Sequence, residues 1–319
     1  MSDFIESEIH RSRRDRVATL ARTIVRTLTI LAASYLPCAG LSAQPADNAT
    51  SLRATYESLK AQLDHAAFHR RLYLDSRESP STVTGEIYAV LDYPFGTVSD
   101  VFNDPTQSPR NWCDVLILHP NIKYCHASAN SSGDTLTVYV SQEEVAEELA
   151  STYRLQFDYE PATTSPGYFR LKLHSDSGPL NTRDYQIVLE AVSLGSGRTF
   201  LHLTYAYSYG AIGRLAMKGY LATFGHGKVG FTNLAEPSAA EPKFVDGVRG
   251  LVERNTMRYY LAIDAYLGEP TSLPDNRVEQ RLSNWFTASE QYPRQLHEID
   301  RQQYMEMKQE EYRRQQARP

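Results

Sequence analysis

The sequence lacks the short motifs that identify many enzymes. It contains no HExxH, no G-x-S-x-G and no P-loop, which are the spacings of zinc peptidases, serine hydrolases and phosphate-binding NTPases. One glycine-rich match, GHGKVG at 225–230, follows a predicted helix, whereas the dinucleotide-binding fingerprint follows a strand. We interpret this segment as a flexible loop, and we expect neither a cofactor nor a metal ion.

Cysteine and basic charge are also scarce. The 319 residues include only 3 Cys, and 33 Lys and Arg stand against 38 Asp and Glu, a formal net charge of −5. A chain without a basic face cannot neutralise many nucleic-acid phosphates, so we expect no nucleic-acid partner. The uncharged run at 27–36 is well short of the roughly 20 residues that a membrane-spanning helix needs.

The N-terminus, by contrast, carries a recognisable pattern. An arginine-rich stretch precedes the uncharged run, and small residues follow it up to Ala43. A basic region, an apolar core of about 7–15 residues and a small-residue exit are typical of a secretory signal peptide. We expect cleavage after Ala43 and a periplasmic location. A weak membrane anchor or a buried helix is the alternative.

Export bears on the two cysteines that remain after this cleavage, Cys113 and Cys125. An oxidising compartment favours their pairing, and a helix ending near Trp112 with a strand starting near Ile122 would bring them within reach. The closed loop would stabilise the fold by about 3 kcal/mol in the chain-entropy model. Two free buried thiols are the alternative. A metal site or a nucleophile fits less well, because the spacing is unusual for zinc and no partner base is recognisable.

Apolar periodicity predicts helices at both ends of the mature chain and strands between them. Helical spacing from Leu52 predicts a docking helix that ends near Phe68. Alternation of apolar and polar residues predicts antiparallel strands, and a long helix is expected between Phe244 and Tyr266. The predicted strands are 82–93, 121–128, 135–141, 151–160, 167–175, 183–192 and 198–209.

The long helix has its apolar residues on one side in this prediction. Arg249, Glu253 and Asp264 fall on the other side, so we expect an amphipathic helix with an exposed charged face. Asn255 interrupts the apolar side. Because a buried amide needs hydrogen-bond partners, Asn255 either bonds to the sheet or offers a polar contact to a ligand.

This order of elements resembles the helix-grip fold of the START (steroidogenic-acute-regulatory-related lipid transfer) and polyketide-cyclase superfamily. The resemblance is carried by GEIYAVLDYPFGTVSDVFNDPTQSPRNWCDVLILHPNIKYC at 85–125, and by SDSGPLNTRDYQIVLEAV at 175–192. In the first segment a strand leads through Pro-Phe into a short helix, a Trp-bearing helix, an apolar stretch and a second strand. The resemblance implies an α+β fold in which a curved antiparallel sheet wraps a long C-terminal helix and leaves an internal cavity.

Both ends of the chain depart from small members of this superfamily, and a helix at 211–224 is inserted before the long helix. The segment from about Gln295 is rich in Arg, Glu and Gln and predicts a solvated or partner-binding helix. The expected organisation is a signal peptide at 1–43, an N-terminal helix and lead-in at 44–81, a START-like domain at 82–268 and a charged helical extension at 269–319.

The cavity that the resemblance implies would be mostly apolar, with a few polar anchors. We expect it to hold a lipid or another hydrophobic small molecule, with Tyr205, Tyr207 or Asn255 at the polar end. Movement of the 225–230 loop and the 211–224 helix would release it, with transient contact to a membrane. The residues expected to line the cavity are Leu155, Phe157, Leu171, Ile187, Leu203, Tyr205, Tyr207, Asn255 and Tyr259.

Two other functions remain compatible with this sequence. The predicted inner side chains could simply fill the core, leaving an envelope interaction protein that binds partners through its C-terminal helices. A cyclase- or hydrolase-type enzyme acting on a hydrophobic substrate in the cavity is the second alternative. It would need an inward-facing histidine, such as His174 or His202, as a general base.

Overall fold

One antiparallel sheet dominates the part of the chain that the structure describes. A computed structural model describes residues 45–65, 68–130, 133–223, 225–236, 241–268 and 276–317, and the expected signal peptide lies outside them. The eight strands found there follow the order β1-β2-β8-β7-β6-β5-β4-β3. The strands are β1 (Leu72–Glu78), β2 (Thr82–Leu91), β3 (Ile122–Asn130), β4 (Gly133–Val140), β5 (Tyr153–Ser165), β6 (Tyr168–Ser177), β7 (Thr182–Gly195) and β8 (Arg198–Tyr209).

Helices precede, interrupt and follow the strands. In the described part of the chain, no helix combines the length and apolar character needed to cross a membrane. The helices are α1 (Pro45–Asp64), α2 (Phe95–Phe102), α3 (Ser108–Leu116), α4 (Ala211–Ala222), α5 (Gly247–Leu267), α6 (Arg277–Ser289), α7 (Pro293–Leu296) and α8 (Arg301–Ala317).

The two faces of the sheet are covered by different helices. Alternate residues of a strand point to opposite faces, so Leu201 and Leu203 of β8 join the main core, whereas Phe200 packs with α1. Tyr56 of α1 contacts Phe200 with ring centroids 5.2 Å apart. The predicted docking helix is therefore confirmed, although it ends at Asp64.

Helix α5 packs against the inner face of the sheet, mainly on β1, β2 and β8. Gly85 of β2 permits the close approach, because a Cβ at this position would collide with the hydroxyl of Thr256 on α5. A long helix held by an antiparallel sheet is the helix-grip arrangement, and the predicted α+β fold class is confirmed. Strand β1 was not predicted. It pairs with β2 through Leu72 and Ala89, so the sheet starts before residue 82.

The expected amphipathic character of α5 is wrong, since this helix is buried on nearly every side. Glu253 is 0% exposed, and Arg254 and Arg258 are each 2% exposed. The Glu253 carboxylate accepts a 2.6 Å hydrogen bond from the backbone N–H of Phe231. On the far side from the sheet, Trp285 of α6 donates to the Arg258 carbonyl at 3.2 Å. Residues 231–232 thus cover Glu253 on the face that the sequence pattern assigned to solvent, and the C-terminal helices cover Arg254 and Arg258.

Helix α8 is likewise docked, so the expectation of a solvated segment from Gln295 is wrong. Three buried charged residues, which we name the α8 anchor, fix α8 to β3: Lys123, Lys308 and Glu311. The Lys308 ammonium donates to the Ile122 carbonyl and to Glu311, both at 2.6 Å. The Lys123 ammonium lies 3.3 Å from the other Glu311 oxygen. Burial lowers the pKa of Lys308 to about 8.

A disulfide ties the α3 helix to the sheet. Cys113 of α3 and Cys125 of β3 are bonded, with their Cα atoms 5.1 Å apart. The predicted pairing is therefore confirmed. The bond excludes the alternatives of free thiols, a metal site and a nucleophile at these two cysteines. The bond holds α3 against the strand on which α8 docks.

Candidate functional site

An internal cavity lies between α5 and the inner face of the sheet. Its volume is about 120 Å³, which is about ten times the volume that one water molecule needs. The core is therefore not filled, contrary to the premise of the interaction-protein alternative. Much of the wall is apolar and is formed by Leu116, Ile122, Val138, Val140, Leu155, Phe157, Ile187 and Leu251.

Most of the residues predicted to line a cavity come together here. Leu171 and Leu203 do not: they are buried beside Leu189, their cross-strand neighbour, in the packed part of the inner face. That the other residues bind a ligand stays a prediction. Those that line the cavity are Leu155, Phe157, Ile187, Tyr205, Tyr207, Asn255 and Tyr259.

Tyrosine rings form one side of the cavity. Tyr185 stacks on Tyr207 with centroids 5.0 Å apart, and Tyr205 meets Tyr259 edge-on at 5.3 Å. The Tyr185 hydroxyl lies 2.8 Å from that of Thr182. The Tyr207 hydroxyl is buried and has no hydrogen-bond partner among the described residues. Burial raises the pKa of Tyr207 well above its ordinary value, so this hydroxyl is a neutral donor available to a ligand.

Charged side chains that the sequence analysis did not select also reach the cavity. The charged cluster consists of Lys228, Arg254, Arg258, Glu144 and Glu298, and all but Glu298 line the cavity. Glu298 accepts from Arg254, from Arg258 at 2.8 Å and from Lys228 at 2.9 Å. Glu144 lies 3.4 Å from Lys228 and 3.9 Å from Arg258. Three cations therefore share two carboxylates.

The pKa values in this cluster follow from burial and the unequal charge count. Burial, and then the neighbouring Arg258, lowers the pKa of Arg254 to about 10. Burial acts to raise the pKa of Glu298 and is the largest single influence on it. The nearby Arg258, Arg254 and Lys228 together outweigh it and hold the Glu298 pKa below its ordinary value. The Glu298 carboxylate is therefore charged.

His119, which lines the cavity, already has hydrogen-bond partners. His119 Nδ1 accepts from the backbone N–H of Asn121 at 3.2 Å, and Nε2 is 3.3 Å from the Asn255 amide oxygen. This pattern assigns the proton to Nε2, which donates to Asn255. Burial, and then Arg258, lowers the pKa of His119 well below its ordinary value. His119 is a neutral, satisfied group, so it offers no free general base.

The two histidines considered for the enzymatic alternative do not point inward. His202 contacts Glu190 through Nδ1 and Glu86 through Nε2, both at 3.1 Å. It alternates with Leu201 and Leu203, so it lies on the outer face of the sheet. His174 also lies on the outer face, 3.8 Å from Asp176. Neither can act on a molecule in the cavity.

The two segments expected to move both contribute to the cavity wall. Met217 and Tyr220 of α4 line it, and Lys228 joins them from the 225–230 loop. The Lys228 side chain is 21% exposed, so this part of the wall reaches solvent. Movement of α4 and the loop stays a prediction.

Comparisons with known proteins give distant structural matches. No protein-family model and no curated protein sequence matches the chain. Ara h 8.0201 is 11% identical, with 58% of this chain and 97% of that chain covered and a TM-score of 0.33. Norcoclaurine synthase from Thalictrum flavum, in complex with dopamine and hydroxybenzaldehyde, is 12% identical, with coverage of 60% and 91% and a TM-score of 0.35.

A third match is the Zhui aromatase/cyclase from Streptomyces sp. R1128. It is 14% identical, with 44% of this chain and 85% of that chain covered and a TM-score of 0.28. Similarity at this level carries no argument about ligand or activity. The helix-grip assignment rests on the strand order and on the position of α5, and the START-like label stays a prediction.

Proposed function

We propose that this chain is an exported protein that binds a lipid or another hydrophobic small molecule in the cavity and carries it. The unfilled cavity is the observation that carries the proposal. Protein interiors are normally close-packed. At about 24 cal/mol per Å³, an empty cavity of about 120 Å³ costs roughly 3 kcal/mol of stability. A hydrophobic ligand that fills the space recovers this cost.

The chemistry of the wall supports the class of ligand. Apolar side chains of β4, β5 and β7 surround the space, including Val138, Phe157 and Ile187. Each CH₂ group of a ligand that leaves water there contributes about 0.8 kcal/mol. The Tyr207 hydroxyl, which has no partner among the described residues, supplies a hydrogen bond for the ligand's polar end. Such a mixture of apolar wall and few polar groups is typical of small-molecule sites.

Export is supported by two independent features. The N-terminal sequence has the pattern of a signal peptide. The bond between Cys113 and Cys125 is of a kind that persists in oxidising compartments and is rare in the cytosol. The matching experiment is intact-mass measurement of the protein from a periplasmic fraction, which is expected to begin at Gln44. A full-length chain retained in the cytoplasm would contradict export.

Helix α4 is suited to deliver the ligand at a membrane. Its outward residues Ile212 and Leu215 are 71% and 72% exposed, while Met217 lines the cavity on the other side. Arg214 and Lys218 are exposed on the same helix, which has no acidic residue. Exposed apolar groups combined with cations complement an anionic lipid surface. Docking of α4 there would draw it away from the cavity mouth.

Vesicle flotation tests this delivery step. The protein is expected to float with vesicles that contain phosphatidylglycerol and to float less with phosphatidylcholine alone. Replacement of both Ile212 and Leu215 by Ser should abolish binding, whereas Leu234→Ser, at another half-exposed position, should not. Equal flotation of the double variant and the wild type would remove α4 from the mechanism.

Native mass spectrometry tests the binding function itself. The mature protein is purified gently from its own compartment and weighed before and after solvent extraction. A stoichiometric hydrophobic adduct that extraction removes is expected. A clean apo mass, with no uptake from a membrane extract, would refute the proposed function.

A further inference from the structure

The walls of the cavity hold more positive than negative charge. Lys228, Arg254 and Arg258 face only Glu144 and Glu298, which leaves an excess of one positive charge. The neutral His119 adds none. Both arginines are almost fully buried, and a buried charge without a counter-charge is unfavourable.

The α8 anchor leaves this excess unchanged. Its two lysines face the carboxylate of Glu311, and Glu147 also acts on Lys123, so two cations stand beside two carboxylates. Burial lowers the pKa of His119, and Arg258 and Lys308 lower it further. The field in this part of the cavity is therefore cationic.

The same cluster has unused hydrogen-bond donors. The Nε atoms of Arg254 and Arg258 are buried without a partner among the described residues, and so is the hydroxyl of Tyr207. All three residues line the cavity. A guanidinium matches the geometry of carboxylate and phosphate oxygens, and hydrogen bonds between a cation and an anion are stronger than neutral ones.

We propose that the ligand is an amphiphile with an anionic end, a carboxylate or a phosphate, which the charged cluster binds while the apolar tail fills the cavity. This inference rests on the proposed binding function and specifies its ligand. A neutral hydrophobic molecule would leave the surplus charge uncompensated, whereas an anion compensates it and accepts from the free donors. Lys228, which reaches solvent, lies where the anionic end enters.

Three probes with the same ten-carbon tail test the proposal: decanoate, decyl phosphate and decanol. Each is titrated calorimetrically below its critical micelle concentration into the mature protein after solvent extraction. The anionic probes are expected to bind at least about tenfold more tightly than decanol, the range that hydrogen bonds to charged groups contribute. The ratio of decanoate to decyl phosphate affinity then identifies carboxylate or phosphate as the natural end group.

Two variants connect the preference to the cluster. Lys228→Gln should reduce the ratio of decanoate to decanol affinity by about tenfold, because it removes the surplus charge. Lys243→Gln, at an exposed lysine outside the cluster, should keep the wild-type ratio. Tyr207→Phe tests the hydroxyl separately and should weaken decanoate binding several-fold without a change of charge.

The outcomes separate this inference from the function on which it depends. Equal affinity for decanol and decanoate would overturn the anionic-end proposal while leaving hydrophobic binding intact. An anionic preference that survives Lys228→Gln would also overturn it, because the cluster would not be its source. If none of the three probes binds and a membrane extract supplies no ligand, the proposed function itself fails.

Discussion

Filling the cavity should have a different effect on stability from overfilling the core beside it. Ile187 and Leu189 are buried two residues apart on the inner face of β7. Ile187 lines the cavity, whereas Leu189 is packed against Leu171 and Leu203 on the neighbouring strands. Substitution of each by Phe adds the same aromatic ring to the same strand in two different environments.

The expected magnitudes follow from the space available. A larger side chain in a close-packed core costs about 1–3 kcal/mol, so Leu189→Phe should lose about 2 kcal/mol. At Ile187 the ring enters a cavity of about 120 Å³. There the additional buried carbon contributes favourably, about 0.8 kcal/mol per CH₂-sized group. Ile187→Phe should therefore leave the free energy of unfolding within about 1 kcal/mol of the wild type.

Urea unfolding of the oxidised, ligand-free proteins measures this difference, provided that both variants keep the wild-type m-value. Retention of ligand is measured in parallel by native mass spectrometry. Ile187→Phe should lose ligand and keep stability, and Leu189→Phe should do the reverse. Equal destabilisation of the two variants would refute the conclusion that the space beside Ile187 is open, and with it the argument for a ligand.

Three further predictions concern the rest of the fold. Glu311→Gln removes the only carboxylate of the α8 anchor and should cost about 3–5 kcal/mol in urea unfolding, as loss of one partner of a buried ion pair does. Glu190 and Glu86 outweigh burial and raise the pKa of His202. The stability that protonated His202 contributes is therefore complete below about pH 6.5, its pKa in the unfolded chain. This contribution is lost as pH rises through the higher pKa of the folded protein. Reduction of the bond between Cys113 and Cys125 should cost about 3 kcal/mol.

Each of these has its own control. Glu310→Gln, on the exposed side of α8, should change stability by less than about 0.5 kcal/mol, and a similar loss in both variants would mean that the anchor does not hold α8. His202→Gln should flatten the fall in unfolding midpoint above pH 6.5; an unchanged slope would assign the dependence to other groups. A thiol count on the denatured protein from a periplasmic fraction should find no free thiol, and two thiols would contradict the bond.

Part of the candidate site was predictable because it depends on local periodicity. Alternation along β5, β7 and β8 identified which side chains face the helix, and Leu155, Ile187 and Tyr205 do line the cavity. The same alternation could not tell Ile187 from Leu189, since both face inward. Whether an inward side chain meets another side chain or an empty space depends on how closely α5 approaches each strand. Leu171 and Leu203 were assigned to the cavity for this reason.

The charged cluster was missed for a different physical reason. The pair Arg254 and Arg258, four residues apart in a helix otherwise rich in apolar residues, was the available signal. A charged residue in a helix is usually solvated, and its burial requires a counter-charge. That counter-charge comes from Glu298, forty residues further along the chain and beyond α6. No residue near α5 in the sequence indicates this counter-charge.

The sequence by itself predicted the alternating strands and, if the chain is exported, the pairing of Cys113 with Cys125, and its order of elements resembles that of a helix-grip fold. The strands follow from side-chain period and turn residues, which act over short stretches of chain. Only the tertiary structure decided that α5 is buried on both sides, that Lys308 and Glu311 anchor the last helix in the core, and that an open, cationic space remains. Those outcomes depend on which distant segments cover a given face, and contacts between distant segments leave no periodic trace in either one.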